Sequence, residues 1–68
     1  MKKTVLMFNT GHDGYTVRQC GSTMTVGELM EILDYYTEDT EIFFKNDDGY
    51  TYGYLEESRI EEEEIDND

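Results

Sequence analysis

Apolar residues fall in five short bouts along this chain, separated by polar stretches that contain glycine, asparagine or aspartate. Four bouts have extended character: "TVLMFN" at residues 4–9, "YTVRQC" at 15–20, "EIFFKN" at 41–46 and "YTYGYL" at 50–55. They are rich in β-branched and aromatic residues, which suit a pleated surface. The fifth bout, "TVGELMEILDYY", has a different period. Val26, Leu29, Met30 and Leu33 recur at i, i+3, i+4 and i+7, one face of an amphipathic helix, and Tyr36 continues that face. Thr25, with Glu28 three residues on, predicts a capping box at the helix start. The apolar stripe reads as core, with Glu28, Glu31 and Asp34 on or near the wet side. The helix is expected to stop near Thr37, after which "TEDT" turns the chain into a strand beginning at Glu41.

The tetrapeptide Asp-Gly-Tyr-Thr occurs twice, at residues 13–16 and 48–51. Asp-Gly between extended runs signals a hairpin, because glycine takes positive φ without steric cost. The repeat is therefore read as architecture used twice, with turn chemistry as its cause. In the first hairpin a two-residue Asp13-Gly14 loop pairs His12 with Tyr15 and Phe8 with Gln19. That register gathers Leu6, Phe8, Tyr15 and Val17 on one face. The second hairpin admits two registers. A type I turn over Asn46-Asp47-Asp48-Gly49 ending in a left-handed glycine pairs Phe44 with Tyr52 and Ile42 with Tyr54. A two-residue loop instead sends Tyr50, Tyr52 and Tyr54 to the face of Phe43 and Lys45.

The expected fold class is α+β: two antiparallel β-hairpins forming one sheet, with a single helix packed on one face, in ββαββ order. A sheet covered by one helix is a compact way to build one core. Residues 1–60 form this single small domain and residues 61–68 an acidic, flexible tail. The sheet face away from the helix has no second layer, which exposes Met7, Phe43 and, in one register, the tyrosines.

Charge changes the picture most. Seventeen acids against five bases leave −12 over 68 residues. The last thirteen residues, "EESRIEEEEIDND", carry eight acids and one arginine, and the other 55 carry nine acids and four bases, so the excess is not confined to the tail. Such a chain repels nucleic acid and anionic membranes and is drawn to basic surfaces. The apolar run behind Met1-Lys2-Lys3 is too short for a signal peptide or a membrane span, which points to the cytoplasm. The lone Cys20 excludes an internal disulfide, and the chain has no Cys/His cluster for zinc.

Catalytic chemistry finds little support. His12 near a hairpin tip and Cys20 near its base are separated by several strand residues at about 3.3 Å each, beyond hydrogen-bond reach. Cys20 reads as a small buried apolar residue and His12 as a solvated loop side chain. Setting Gly49 at the invariant glycine of a calcium-binding EF-hand loop puts Phe44 and Leu55 at ligand positions, so that loop fails. No glycine-rich phosphate cradle is present. Neither a metal nor a cofactor is expected.

Two resemblances add to this reading. The opening hairpin, the "MTVGELMEIL" helix entry, the "EIFF" strand and the "LEESRI" turn follow the order of ubiquitin-like β-grasp domains across the first 60 residues in outline. Those domains close with a central strand parallel to the first, where this chain has "EEEEIDND". Across about half the chain, "TVGELMEIL", "EDTEIFF" and "DDGYTYG" look like the small acidic proteins of phages and mobile elements. That resemblance implies an inhibitor of host defence, of the anti-CRISPR kind that occupies a nucleic-acid channel.

The function expected is a non-enzymatic acidic protein that inhibits a basic, nucleic-acid-binding partner by imitating phosphates. Candidate contacts are Glu28, Glu31, Asp34, Glu38, Asp39, Glu41, Asp47 and Asp48, with Asp13 beside them. Tyr50, Tyr52 and Tyr54 add contact area at low entropy cost. The alternative is a structural or adaptor module, a homodimer through an exposed sheet face or edge, whose acidity serves solubility alone.

Overall fold

The computed structural model describes residues 2–65. In chain order it contains strand β1 (Leu6–Asn9), helix α1 (Val26–Leu33), strand β2 (Ile42–Asn46) and strand β3 (Thr51–Tyr54), with short 3-10 turns at Arg18–Cys20, Asp47–Gly49 and Glu57–Arg59. The strands form one sheet in the order β1-β2-β3. β1 runs parallel to β2, with Leu6 opposite Ile42 and Phe8 opposite Phe44, while β2 and β3 are antiparallel. A parallel pair needs a long crossover, and residues 10–41, with α1 among them, supply it.

This overturns the expected ββαββ order: one hairpin forms, not two. The first fails because its amides are engaged elsewhere. At the end of β1 the Thr10 amide donates to the Lys45 carbonyl at 3.0 Å, and the Thr10 hydroxyl donates to Asn46 Oδ1 at 2.6 Å, so the chain is drawn toward β2. Beyond Gly11, residues 15–20 close short local bonds instead of returning along β1. The Tyr15 amide donates to Gln19 Oε1 at 2.7 Å, and the Gln19 and Cys20 amides donate to the Thr16 and Val17 carbonyls. Gly14 permits this fold-back, since a Cβ there would lie 2.5 Å from Gln19 Cβ. The expected pairs His12–Tyr15 and Phe8–Gln19 do not form, and Tyr15 and Val17 are exposed.

The second hairpin forms, closed by residues 47–50. Asp47, Asp48 and Gly49 all have positive φ (50°, 56° and 96°), and the Tyr50 amide donates to the Asp47 carbonyl at 3.1 Å. Aspartate tolerates the left-handed region better than most residues, through local hydrogen bonding of its short side chain. Asn46 pairs with Thr51, Lys45 with Tyr52 and Phe43 with Tyr54. Of the two registers read from the sequence, the tyrosine-with-Phe43 face is the one adopted, although the loop is longer than two residues.

Helix α1 starts as its sequence predicts. Thr25 Oγ1 accepts the Glu28 amide at 3.2 Å, and Glu28 Oε1 accepts the Thr25 amide at 2.9 Å, a complete capping box. The helix lies over the face carrying Leu6, Phe8 and Ile42. Phe8 and Phe44 meet there edge to face, with ring centroids 5.7 Å apart. The cover is loose. Leu29 and Leu33 are half-buried, but Val26 and Met30, expected in the core, are 76% and 64% exposed. No described residue is fully buried. The accessible surface is 6910 Å², against about 4,450 Å² for a folded monomer of this mass. The radius of gyration is 14.2 Å, against about 11 Å for a compact domain of this length. Residues 61–65 have no regular structure, and the rest of the expected flexible tail lies outside the described residues.

Candidate interaction surface

Strand alternation sorts the sheet into two unlike faces. Leu6, Phe8, Ile42 and Phe44 face α1, with Gly53 opposite Phe44. The reverse face carries Met7, Phe43, Lys45, Tyr52 and Tyr54, and no helix covers it. Met7 and Phe43 are half-buried there, while Tyr52 and Tyr54 are exposed. The Arg59 guanidinium stacks on the Tyr54 ring, 4.2 Å from its centroid, and donates to the Tyr54 carbonyl at 3.4 Å. A cation over an aromatic face is attracted by the ring quadrupole. Tyr50 departs from the other two tyrosines: it lies in the turn, helical in φ and ψ, and not in the strand.

The candidate acids are spread over several elements. Glu28 is engaged in the helix cap. Glu31 and Asp34 flank Tyr35 around a shallow hollow on the helix. Asp34 and Glu38 edge a second hollow of about 380 Å³, whose apolar wall is Leu6, Met30, Leu33 and Ile42. Asp39 Oδ1 accepts the Thr37 hydroxyl at 2.7 Å, and Glu41 pairs with Lys3. Asp47 and Asp48 form the hairpin turn, where Asp47 Oδ1 lies 3.4 Å from His12 Nε2. Every one of these acids is exposed. The fold thus brings together Glu31 with Asp34, Asp34 with Glu38, and Asp47 with Asp48. It leaves two groups, Glu31 with Asp34 and Glu38 on one side and Asp47 with Asp48 on the other, not one row of evenly spaced charges.

Cys20 is exposed, not buried as its residue type suggests; its Sγ lies 3.6 Å from the Thr16 carbonyl. Among the described residues no three His, Cys, Asp or Glu side chains converge to hold a metal ion, and no helix is long and apolar enough to cross a membrane.

Two features escaped the sequence reading. The first is Arg59, which joins Lys45 to put two of the five bases beside the tyrosines on the open face. Alternation within "EIFFKN" places Lys45 with Phe43, so part of this signal was present. The second is polarity along the chain. Residues 1–27 hold three bases and one acid, a net +2, while residues 28–68 hold two bases and sixteen acids, a net −14. β1 belongs to the first segment, and α1, β2 and β3 belong almost wholly to the second.

No family model matches this chain, and no curated protein or solved structure matches it.

Proposed function

We propose that this chain is a non-enzymatic binding protein that docks on a basic protein surface and displaces nucleic acid from it. One observation carries the reading: residues 28–68 hold a net −14, and every described acid among them is exposed. A field of that sign and density steers a protein toward cationic grooves and away from polyanions. Glu31, Asp34 and Glu38 are the leading contacts, with Asp48 in the hairpin turn, because Glu28, Asp39 and Glu41 already take part in a cap, a side-chain hydrogen bond or an ion pair and Asp47 lies against His12. Charge-assisted bonds from fixed carboxylates to arginine and lysine supply the attraction. The Arg59–Tyr54 stack illustrates how an arginine sits on this tyrosine face. A defence nuclease, of the kind implied by the resemblance to small acidic phage proteins, is a partner of this chemistry.

The test is affinity capture from an extract of the native host, eluted in parallel by rising salt and by duplex DNA. The same capture is run with a variant carrying E31Q, D34N, E38Q and D48N. The expected result is a basic protein released by both eluents and retained about tenfold less by the variant, the size of effect that loss of several charge-assisted contacts produces. A captured protein that binds DNA and this chain simultaneously at one site, or capture indifferent to the four amides, overturns the reading.

A further inference from the structure

β1 is one of the sheet's two edge strands, β3 being the other, since the order is β1-β2-β3. Yet its residues, Leu-Met-Phe-Asn, carry no charge, and the preceding Thr4 and Val5 carry none either. Natural edge strands are guarded by charge, proline, bulges or a covering segment, and an unguarded apolar edge is a template for another strand. The segment expected to cover it, residues 15–20, is occupied by its own local turns.

The hydrogen-bond directions show which groups wait on that edge. The amides of Leu6 and Thr10 donate inward to the Glu41 and Lys45 carbonyls of the β2 segment, at 2.9 and 3.0 Å. Backbone alternation therefore turns the Met7 and Asn9 amides outward. Beside the same edge lies an open hollow of about 590 Å³. Its apolar wall is Leu6, Phe8, Met24, Val26, Leu29 and Ile32, and no residue of β2 or β3 lines it. A strand added to β1 would place alternate side chains against this hollow, under α1.

We propose that the occupant is a second copy of this chain, paired antiparallel through β1 about a twofold axis. Two observations favour a second copy. The first is pattern: β1 offers Leu6 and Phe8 on the helix side, the alternation the hollow requires. The second is charge. Residues 1–27 are net +2, so pairing through β1 joins the two non-acidic segments and leaves β2 and β3 of each acidic segment on the far side. Antiparallel pairing also brings Lys2 and Lys3 of each copy toward the loop at residues 11–13 of the other, which contains Asp13. The product is a continuous six-stranded sheet with both helices on one side, an isologous arrangement in which the same patch serves both copies.

Sedimentation equilibrium of the full chain over a wide concentration range reads the mass. Amide hydrogen exchange at low and high concentration reads the edge. The expected mass rises from 8.0 kDa toward twice that value. The Met7 and Asn9 amides are expected to gain about tenfold protection with concentration, in step with the mass. Met7→Pro removes one outward donor while sparing the inward bonds of Leu6 and Thr10, and should hold the chain monomeric with an unchanged far-ultraviolet dichroism spectrum. Asn9→Pro, at the strand end, makes the same test if Met7→Pro does not fold. A monomer at millimolar concentration, a dimer that survives the proline variant, or Met7 and Asn9 protection that ignores concentration overturns the proposal.

Discussion

At residues 48–51 the backbone reverses through positive φ at Asp48 and Gly49 and delivers Thr51 into β3. At residues 13–16 the same four amino acids fold onto the 3-10 turn that follows, with the Tyr15 amide on Gln19 Oε1. The two copies are close in space, since His12, just before one, lies 3.4 Å from Asp47, just before the other. Composition therefore does not separate them; their flanks do. The later copy joins "IFFKN" to "TYGY", two runs that pair with each other at once. The earlier copy follows a strand whose inner edge is already bonded to β2, and residues 15–21 close short bonds among themselves, Gln19 and Cys20 to Thr16 and Val17 and Gly21 to Arg18. Asp-Gly permits a reversal; whether a hairpin results depends on where the neighbouring amides find acceptors.

The largest way to break this contrast is to weaken the strand that holds the later copy open as a hairpin. Phe44 meets Phe8 edge to face and stands opposite Gly53, which has no side chain to replace the lost contact. Phe44→Ala is expected to cost about 2 kcal/mol, less than the full penalty for a buried phenylalanine because Phe44 is half-buried. Urea unfolding followed by far-ultraviolet dichroism measures it. The chemical shifts of Tyr15 and Gln19 should stay where they are, since their bond is local. A concerted shift of both copies would show that the two turns are one cooperative unit.

A matched pair of glycine substitutions gives the next effect. Gly49 has φ near +96° and Gly14 has no such φ, but lies against Gln19. Gly49→Ala places a Cβ in the left-handed region and should destabilise the hairpin by about 1–2 kcal/mol. Gly14→Ala puts a Cβ 2.5 Å from Gln19 Cβ and 3.1 Å from its backbone carbon, a clash that only a backbone shift of the exposed loop can relieve. Its global cost should be under about 0.5 kcal/mol, with the change confined to residues 13–20 in an NMR shift map. Equal unfolding midpoints for the two variants would remove the distinction drawn between the copies.

What was legible in the sequence follows the same division between local and distant causes. The capping box at Thr25 and Glu28 and the existence of the second hairpin depend on residues within a few positions of each other, and both were readable, whereas α1 ends at Leu33, short of the stop expected near Thr37. The pairing of β1 with β2 joins residues such as Phe8 and Phe44, with the whole crossover between them, and the nearer Asp-Gly signal concealed it. The stripe of Val26, Leu29, Met30 and Leu33 identified a helix face but not how closely the sheet would approach it, so core was expected where Val26 and Met30 are open. On the surface, the exposure of the acids followed from their chemistry. Their separation into two groups depended on the topology, as did the arrival of Arg59 over Tyr54.

The smallest effect isolates the bond that keeps the earlier copy out of the sheet. Gln19 Oε1 is the acceptor for the Tyr15 amide, and both residues are exposed, so little packing depends on either. Gln19→Ala should change global stability by less than about 0.5 kcal/mol, because an exposed amide exchanges a protein acceptor for water at small net cost. Locally the consequence is larger in kind. Without that acceptor the Tyr15 amide should exchange severalfold faster, and residues 15–20 lose one of the bonds that favour the turn over an extended return along β1. If the turn is held chiefly by this side chain, the variant should show nuclear Overhauser contacts between residues 15–20 and β1 that the parent lacks. If the Thr16 and Val17 carbonyls suffice, the turn persists and only Tyr15 exchange changes. The 3-10 bonds from Gln19 and Cys20 are longer than the Tyr15 bond, at 3.2 and 3.1 Å against 2.7 Å. Partial release toward β1, in the monomer at low concentration where that edge is open, is therefore the expected outcome.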